Sequence, residues 1–189
     1  VISYKNLNFV EPKCFAIMAR DDIRMKSSSG GMFYSLASYA LSLNGYVCGT
    51  RFNSDFTEVN HVLINKFEDL DLLCKAKYVQ SITGDVFKKI KSLLDQNIFV
   101  FYCGCPCQVA GLYSFLGIHY ENLLTADLLC HGANSPLAFH SYLKEKANGR
   151  VVSKIDFRGD KNILPWGSFM SIYYRDLSSY YCRPCTEDS

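Results

Sequence analysis

Nine cysteines are the residues of this 189-residue sequence best suited to chemistry, and six of them are closely grouped. Three lie within residues 103–107, one is Cys130, and the last two form the pair Cys182 and Cys185. Two thiolates separated by two residues can hold one metal ion or one edge of a cluster. With Cys107 and Cys130 this pair makes four candidate metal ligands, the number that either a zinc site or an iron–sulfur cluster needs.

The elements around Cys107 and Cys130 predict that the two thiols face one point. Residues 98–102 form a continuous apolar run, typical of a strand buried on both faces, and lead directly into the first cysteine group. Residues 123–129 predict a second buried strand that ends at Cys130. A helix follows each strand, which indicates a parallel sheet. Such sheets bind ligands at the carboxyl ends of their strands.

A second candidate site is the run Ser27-Ser28-Ser29-Gly30-Gly31, which precedes a helix with apolar residues at helical spacing. Unpaired N–H groups and the helix dipole favour an anion there, and the glycines would let a ligand approach the backbone. The run therefore predicts a phosphate or pyrophosphate site. The alternative is a serine-rich helix cap without a ligand.

The remaining pattern predicts an α/β fold: a mixed, largely parallel sheet with helices packed on it, plus a hairpin. We expect a single domain over residues 1–189, with an irregular and truncated C-terminal part over residues 159–189. Helices are predicted from residue 32 to Asn44-Gly45, over 68–74, after 85, after 107 and from 136. Strands are predicted at residues 15–19, 46–52, 59–64, 98–102, 123–129, 151–157 and 169–174.

Composition excludes several classes of protein. The chain has 20 Lys and Arg against 18 Asp and Glu, so it lacks the basic excess of a nucleic-acid-binding protein. It has no apolar stretch near the roughly 20 residues that span a membrane, and no signal-peptide pattern. The odd cysteine count predicts reduced thiols and a cytoplasmic location. The start without Met predicts a piece of a longer protein. Cys14, Cys48 and Cys74, each isolated, are equally well read as core residues.

Five ordered motifs between residues 20 and 158 resemble the coenzyme F-420 hydrogenase/dehydrogenase beta-subunit family, which includes chloroplast hydroxymethyl-chlorophyll reductases. They are residues 28–31 (SSGG), 77–81 (KYVQS), 104–112 (GCPCQVAGL), 127–136 (DLLCHGANSP) and 157–158 (FR).

The resemblance implies an oxidoreductase with FAD beside a 4Fe–4S cluster, electrons passing in pairs at the flavin and singly at the cluster. It implies that Ser28 to Gly31 hold the FAD phosphate and that Lys77 and Gln80 contact the flavin ring or its phosphates. The cluster ligands would be Cys107, Cys130, Cys182 and Cys185. The implied partners are a hydride carrier or small-molecule substrate and an iron–sulfur electron-transfer protein or domain. No residue is assigned to catalysis.

The sequence departs from the family pattern at several places. Cys105 stands where Thr is usual, and residues 159–165 intervene before Trp166. The segment before Cys182 is short, and neither a preceding two-cluster segment nor a later acidic, Gly-rich run is present.

Two other classes stay open. A zinc- or thiol-stabilised binding or scaffold protein would use the same thiols structurally. An enzyme with Cys107 or Cys130 as nucleophile and His131 as base is less favoured, because adjacent residues at a strand end point apart and no third orienting group is evident.

Overall fold

The computed structural model describes residues 12–158 and 170–175 in full and the backbone of residues 177–181. Its main sheet has four strands in the order β2-β1-β3-β4. β1 and β2 form an antiparallel hairpin, whereas β1 with β3 and β3 with β4 pair in parallel. The predicted mixed, largely parallel sheet with a hairpin is therefore confirmed. The strands are β1 Tyr46–Phe52, β2 Val59–Ile64, β3 Val100–Gly104 and β4 Leu123–Asp127.

Helices cover both faces of this sheet. Because successive strand residues point to opposite faces, Phe101 of β3 packs with helix α2, while Val100 and Tyr102 pack with α4 and α5. All three of these β3 side chains are completely buried. The helices are α1 Asp21–Lys26, α2 Met32–Ser42, α3 Leu70–Leu73, α4 Val86–Asp95, α5 Pro106–Leu116 and α6 Pro136–Ala147, with a 3-10 turn at Phe67–Asp69.

A second, antiparallel sheet has the order β5-β6-β7. Helix α6 packs on it through Phe139, and the Phe139 ring also stacks on Phe52 of the hairpin at 6.1 Å between centroids. The strand predicted at residues 151–157 is present as β5 and the one predicted at 169–174 as β6, whereas β7 was not predicted. The strands are β5 Val152–Asp156, β6 Ser171–Tyr174 and β7 Leu177–Tyr181.

The predicted strand at residues 15–19 is wrong. The segment has no regular secondary structure and belongs to neither sheet, and the side chains of Phe15 and Met18 are 74% and 70% exposed. Its backbone instead contacts the serine–glycine loop, where Ala19 N–H donates to the Gly30 carbonyl at 2.7 Å. A short apolar run without alternation did not identify a pairing partner, and a strand needs one.

Gly45 links the end of α2 to β1, and a close backbone contact requires it there. Glycine often occupies the left-handed position that ends a helix, but here Asn44, with φ 55°, occupies it. Gly45 is therefore needed for another reason. A Cβ on Gly45 would lie 2.5 Å from the carbonyl oxygen of Phe99 and 2.8 Å from that of Ala40. No side chain fits in that space.

We expect Gly45→Ala to lower the free energy of unfolding by about 1–3 kcal/mol, the usual cost of overpacking. Gly111→Ala is the matched control: it lies inside α5, and its Cβ would meet only the Phe87 ring at 3.7 Å. That change should stabilise the protein by up to about 1 kcal/mol through helix propensity. Urea unfolding of the two variants measures both effects, and equal midpoints would contradict the prediction.

His61 of β2 is a buried titratable group in the core. Its ring stacks on Tyr102 with centroids 5.5 Å apart, and its Nε2 lies 3.3 Å from the Tyr102 hydroxyl. Burial lowers the pKa of His61 to about 4. The folded protein therefore holds this imidazole neutral at neutral pH.

Acid should consequently destabilise the fold through His61. The unfolded chain binds this proton first, since its histidine pKa is about 6.5. Stability is retained above that pH and lost as pH falls from about 6.5 to about 4, by on the order of 3 kcal/mol. Urea unfolding at pH 7.5 and 5 measures the loss. His61→Gln, which keeps a hydrogen-bonding group without titrating, should show a smaller loss, and an equal one would rule out His61 as the cause.

Candidate functional site

The carboxyl ends of β3 and β4 open at one edge of the main sheet. Gly104 is paired with Asp127, and Leu128 N–H donates to the Gly104 carbonyl at 3.2 Å. Cys105 follows directly as the N-cap of α5, and Cys130 lies in the irregular segment after β4. The parallel register thus brings the two cysteine-bearing loops to the same edge.

Cys105 and Cys130 are in side-chain contact at this edge. Gly132 N–H donates to Cys130 Sγ at 3.4 Å. Burial first, and then the neighbouring Cys130 thiol, raise the pKa of Cys105 to about 11. The thiol of Cys107, one residue inside α5, is exposed, as is that of Cys130.

Sequence reasoning selected Cys107 and gave no role to Cys105. The available signal was position: Cys105 is the first residue after the buried strand, so the rigid end of β3 places it directly. Cys107 is carried one step further by the first turn of α5.

Gln108 fixes the loop around Cys105, here called the cysteine loop, in place. Its Oε1 accepts the Cys105 N–H at 3.0 Å, and its Nε2 donates to Ser81 Oγ at 2.9 Å. Gly104 leaves room for this, because a Cβ there would lie 3.1 Å from Gln108 Oε1 and 3.1 Å from the Tyr102 hydroxyl. The loop is therefore joined to the segment that contains Ser81.

That segment, residues 78–81, also contacts the Cys130 loop and the second sheet. Val79 forms a parallel bridge with Asn134, and Gln80 N–H donates to the Asn134 carbonyl at 3.1 Å. The Tyr78 ring meets the Phe157 ring edge-on at 5.6 Å. The motifs at residues 77–81, 127–136 and 157–158 therefore lie side by side, together with Gln108 of the motif at 104–112.

A cavity of about 440 Å³ lies beyond this segment. Its walls combine two aromatic rings, an amide and a guanidinium, a lining suited to a planar ligand with negative charge. Four of the five lining residues lie in the motifs of the sequence, and the sequence analysis gave none of the five a role. They are Tyr78, Asn134, Phe157, Arg158 and Met170.

The serine–glycine loop and Lys77 are also brought together. Ser28 Oγ accepts the Ala76 N–H at 2.7 Å, beside Lys77. Lys77 Nζ donates to the carbonyls of Leu73, Cys74 and Lys75 at 3.2, 2.9 and 3.1 Å, and so closes the end of α3. Burial lowers the pKa of Lys77 to about 8.

The two glycines of the loop serve the chain's own packing. Gly31 is buried with φ 89°, and a Cβ there would lie 2.8 Å from the Ala19 Cβ. A Cβ on Gly30 would lie 3.0 Å from the Ile17 carbonyl oxygen. Ser29, in contrast, is exposed just before α2. Gln80 is exposed as well, away from the loop in sequence.

The predicted pair Cys182 and Cys185 lies outside the described residues. Within the part of the chain that is described, no group of three or more His, Cys, Asp and Glu side chains is arranged to hold a metal ion. The described helices are also all too short or too polar to cross a membrane.

Two comparisons found similarity to known proteins. Residues 99–187 match the family model for the C terminus of the coenzyme F420 hydrogenase/dehydrogenase beta subunit. The fold is similar to a chain of the xenon-derivatised F420-reducing [NiFe] hydrogenase complex from Methanosarcina barkeri, with a TM-score of 0.59 and 17% identity. The match covers 87% of this chain and 57% of that one, so this chain spans little more than half of its structural relative. No curated protein sequence matches. This similarity to the coenzyme F420 hydrogenase/dehydrogenase beta subunit covers residues 99–187, a little less than half of the chain.

Proposed function

We propose that this chain is a flavin- and 4Fe–4S-dependent part of an oxidoreductase. The observation that carries the proposal is the meeting of the cysteine loop and the Cys130 loop at the open edge of β3 and β4. This edge lies within the part of the chain that the family model matches. A thiol-rich sheet edge beside an aromatic cavity is the arrangement expected of an electron-transfer site.

The donor chemistry at this edge fits an iron–sulfur cluster. Thiolates select soft metals and clusters, and the exposed thiols of Cys107 and Cys130 can be reached by further ligands. We assign Cys107 and Cys130, with Cys182 and Cys185, as the four ligands. The described residues alone do not complete the set, so this assignment depends on the tail. Four thiolates would also satisfy zinc.

FAD is the second proposed cofactor, and its phosphates are assigned to Ser28, Ser29 and the first amides of α2. Amides at a helix start and nearby hydroxyls suit an anion. Lys77 is beside Ser28 and, with a pKa near 8, is largely cationic at neutral pH. Gln80 is the remaining candidate contact. Gly30 and Gly31 contribute by shaping the loop, since their α-carbons face the chain's own residues.

When bound, the two groups would supply two-electron transfer at the flavin and one-electron transfer at the cluster. The chain's own residues position them: Gln108 and Ser81 join the cysteine loop to the segment that borders the cavity. We assign that cavity to the hydride carrier or small-molecule substrate. The structural relative is described as F420-reducing, which makes a deazaflavin one candidate carrier.

Further partners and location follow from the same chemistry. A cluster at an exposed edge would exchange electrons with an iron–sulfur protein or domain, and the structural relative comes from a hydrogenase complex. Thiolate ligands need reduced cysteines, which favours the cytoplasm.

The first test is the metal and flavin content of anaerobically purified protein. We expect bound flavin and iron in the parent, and a loss of most of the iron in Cys107→Ser and in Cys130→Ser. Cys14→Ser is the control, because Cys14 is exposed and isolated in sequence. Iron analysis and the visible spectrum measure the effect. Zinc in place of iron, with no flavin, would support the scaffold alternative instead.

The second test concerns the phosphate site at Ser29. Ser29→Asp adds a negative charge that a nearby helix N-terminus tolerates but a phosphate does not. We expect flavin affinity to fall by about tenfold or more, where tenfold is about 1.4 kcal/mol. Ser29→Asn, equal in size but neutral, should bind nearly as the parent does. Flavin titration followed by fluorescence measures both variants. Equal affinity of the Asp and Asn variants would place the phosphate elsewhere.

A further inference from the structure

A second cavity lies between α6 and the turn of the β1–β2 hairpin, and the proposed function does not use it. Its volume is about 530 Å³, which is within the range of small-molecule sites. It shares no lining residue with the cavity at Tyr78. We propose that this cavity beside α6 binds a small organic anion of the class of phosphate monoesters. The anionic group would lie at Lys144 and Arg175, and the apolar part on Leu143 and Val152.

The charges of the lining favour an anion. Lys144 and Arg150 come from α6 and the segment after it, and Arg175 comes from the turn after β6. Among the described residues that line the cavity, Asp55 alone is acidic. Three positive charges thus face one negative charge, and cations from separate elements gathered at one concave surface attract anions.

Capping of α6 accounts for part of this charge but not for all of it. Arg150 Nε and Nη2 each donate to a carbonyl of the last turn of α6 at 3.0 Å, and a cation there stabilises the negative end of the helix dipole. Lys144 lies in the same last turn. Arg175 belongs to the second sheet, where its N–H donates to the Val151 carbonyl at 3.1 Å. Helix capping therefore does not explain why Arg175 lines the same cavity.

The cavity has an apolar floor and a wall that is fixed in advance. Leu143 and Val152 are buried members of the core cluster that joins α6 to the second sheet. The hairpin turn holds itself in place, because Thr57 Oγ1 accepts from Asn53 Nδ2 at 3.0 Å and donates to Asp55 Oδ1 at 2.8 Å. The one acid is thus engaged within its own turn. An apolar surface beside a few convergent polar groups is the usual lining of a ligand site.

The test uses phenyl phosphate, which combines one phosphate with one apolar ring, in calorimetric titrations of the full chain. Lys144→Gln and Arg175→Gln each remove one charge, and we expect each to weaken binding about fivefold or more, as the loss of a charged hydrogen-bonding partner does. Lys146→Gln is the matched control, because Lys146 lies on the same helix outside the lining, with its ammonium 5.7 Å from the Tyr142 ring centroid. That variant should bind as the parent does.

Two further probes separate the contributions of charge and ring. Benzyl alcohol, with a ring but no charge, should not bind detectably. Inorganic phosphate should bind more weakly than phenyl phosphate, since it leaves the apolar floor uncovered. Raising the salt concentration should weaken the binding of phenyl phosphate, because the cations are near the surface and are screened.

The contrary outcomes are distinct from those of the proposed function. No binding to the parent, or equal affinity in the parent and in the Lys144 and Arg175 variants, overturns the assignment of this cavity. An equal loss in Lys146→Gln overturns it as well, because attraction would then be a general property of the surface. If Ser29→Asp abolishes binding and the cavity variants do not, the probe occupies the serine–glycine loop instead. Iron and flavin content test the proposed function separately, and none of these titration results changes them.

Discussion

The burial of β3 on both faces is the constraint on which the rest of the structure depends. Val100, Phe101 and Tyr102 have no solvent exposure, so each face of this strand must be covered by helices and each edge by another strand. Helix α2 covers one face of β3, helices α4 and α5 cover the other, and β1 and β4 pair with its two edges. Burial of apolar surface of this kind is the main stabilising contribution to folding.

This constraint also decides where chemistry can occur. A strand paired in parallel on both sides must deliver its next residues to the same edge as its neighbours. Cys105 therefore emerges beside the chain leaving β4, whatever the details of the loops. Two hydrogen bonds then fix the neighbouring segment 78–81. Gln108 Nε2 donates to Ser81 Oγ, and Gln80 N–H donates to the Asn134 carbonyl. The packing of the core therefore determines the positions of the site residues in these two steps.

The sequence predicted most of the sheet because its periodicity reports burial directly. The hairpin, the buried strand before the cysteine group and the helices after both loops are confirmed.

Contacts between residues distant in sequence could not be predicted in this way. No local pattern shows that residues 15–19 would lie against the serine–glycine loop, or that Gly31 would face Ala19. A glycine required by a close approach looks the same in sequence as one that leaves room for a ligand. That Cys105 and Cys130 come to the same edge has a similar cause, because it follows from the register of β3 against β4. Register is set by pairing between distant strands, so a local motif does not contain it.

The distribution of charge near the cavity favours an anionic occupant. Asp156 is buried, but one of its carboxylate oxygens forms an ion pair with Lys75 and the other accepts the Arg158 N–H at 3.1 Å. Lys75 thus balances the one buried acid nearby, which leaves the charge of Arg158 at the cavity and that of Lys77 beside the serine–glycine loop. Charge acts beyond hydrogen-bonding distance, so Lys77 contributes even though its three protons already bond to backbone carbonyls. Phosphates and other anions are the kinds of group that such cations stabilise.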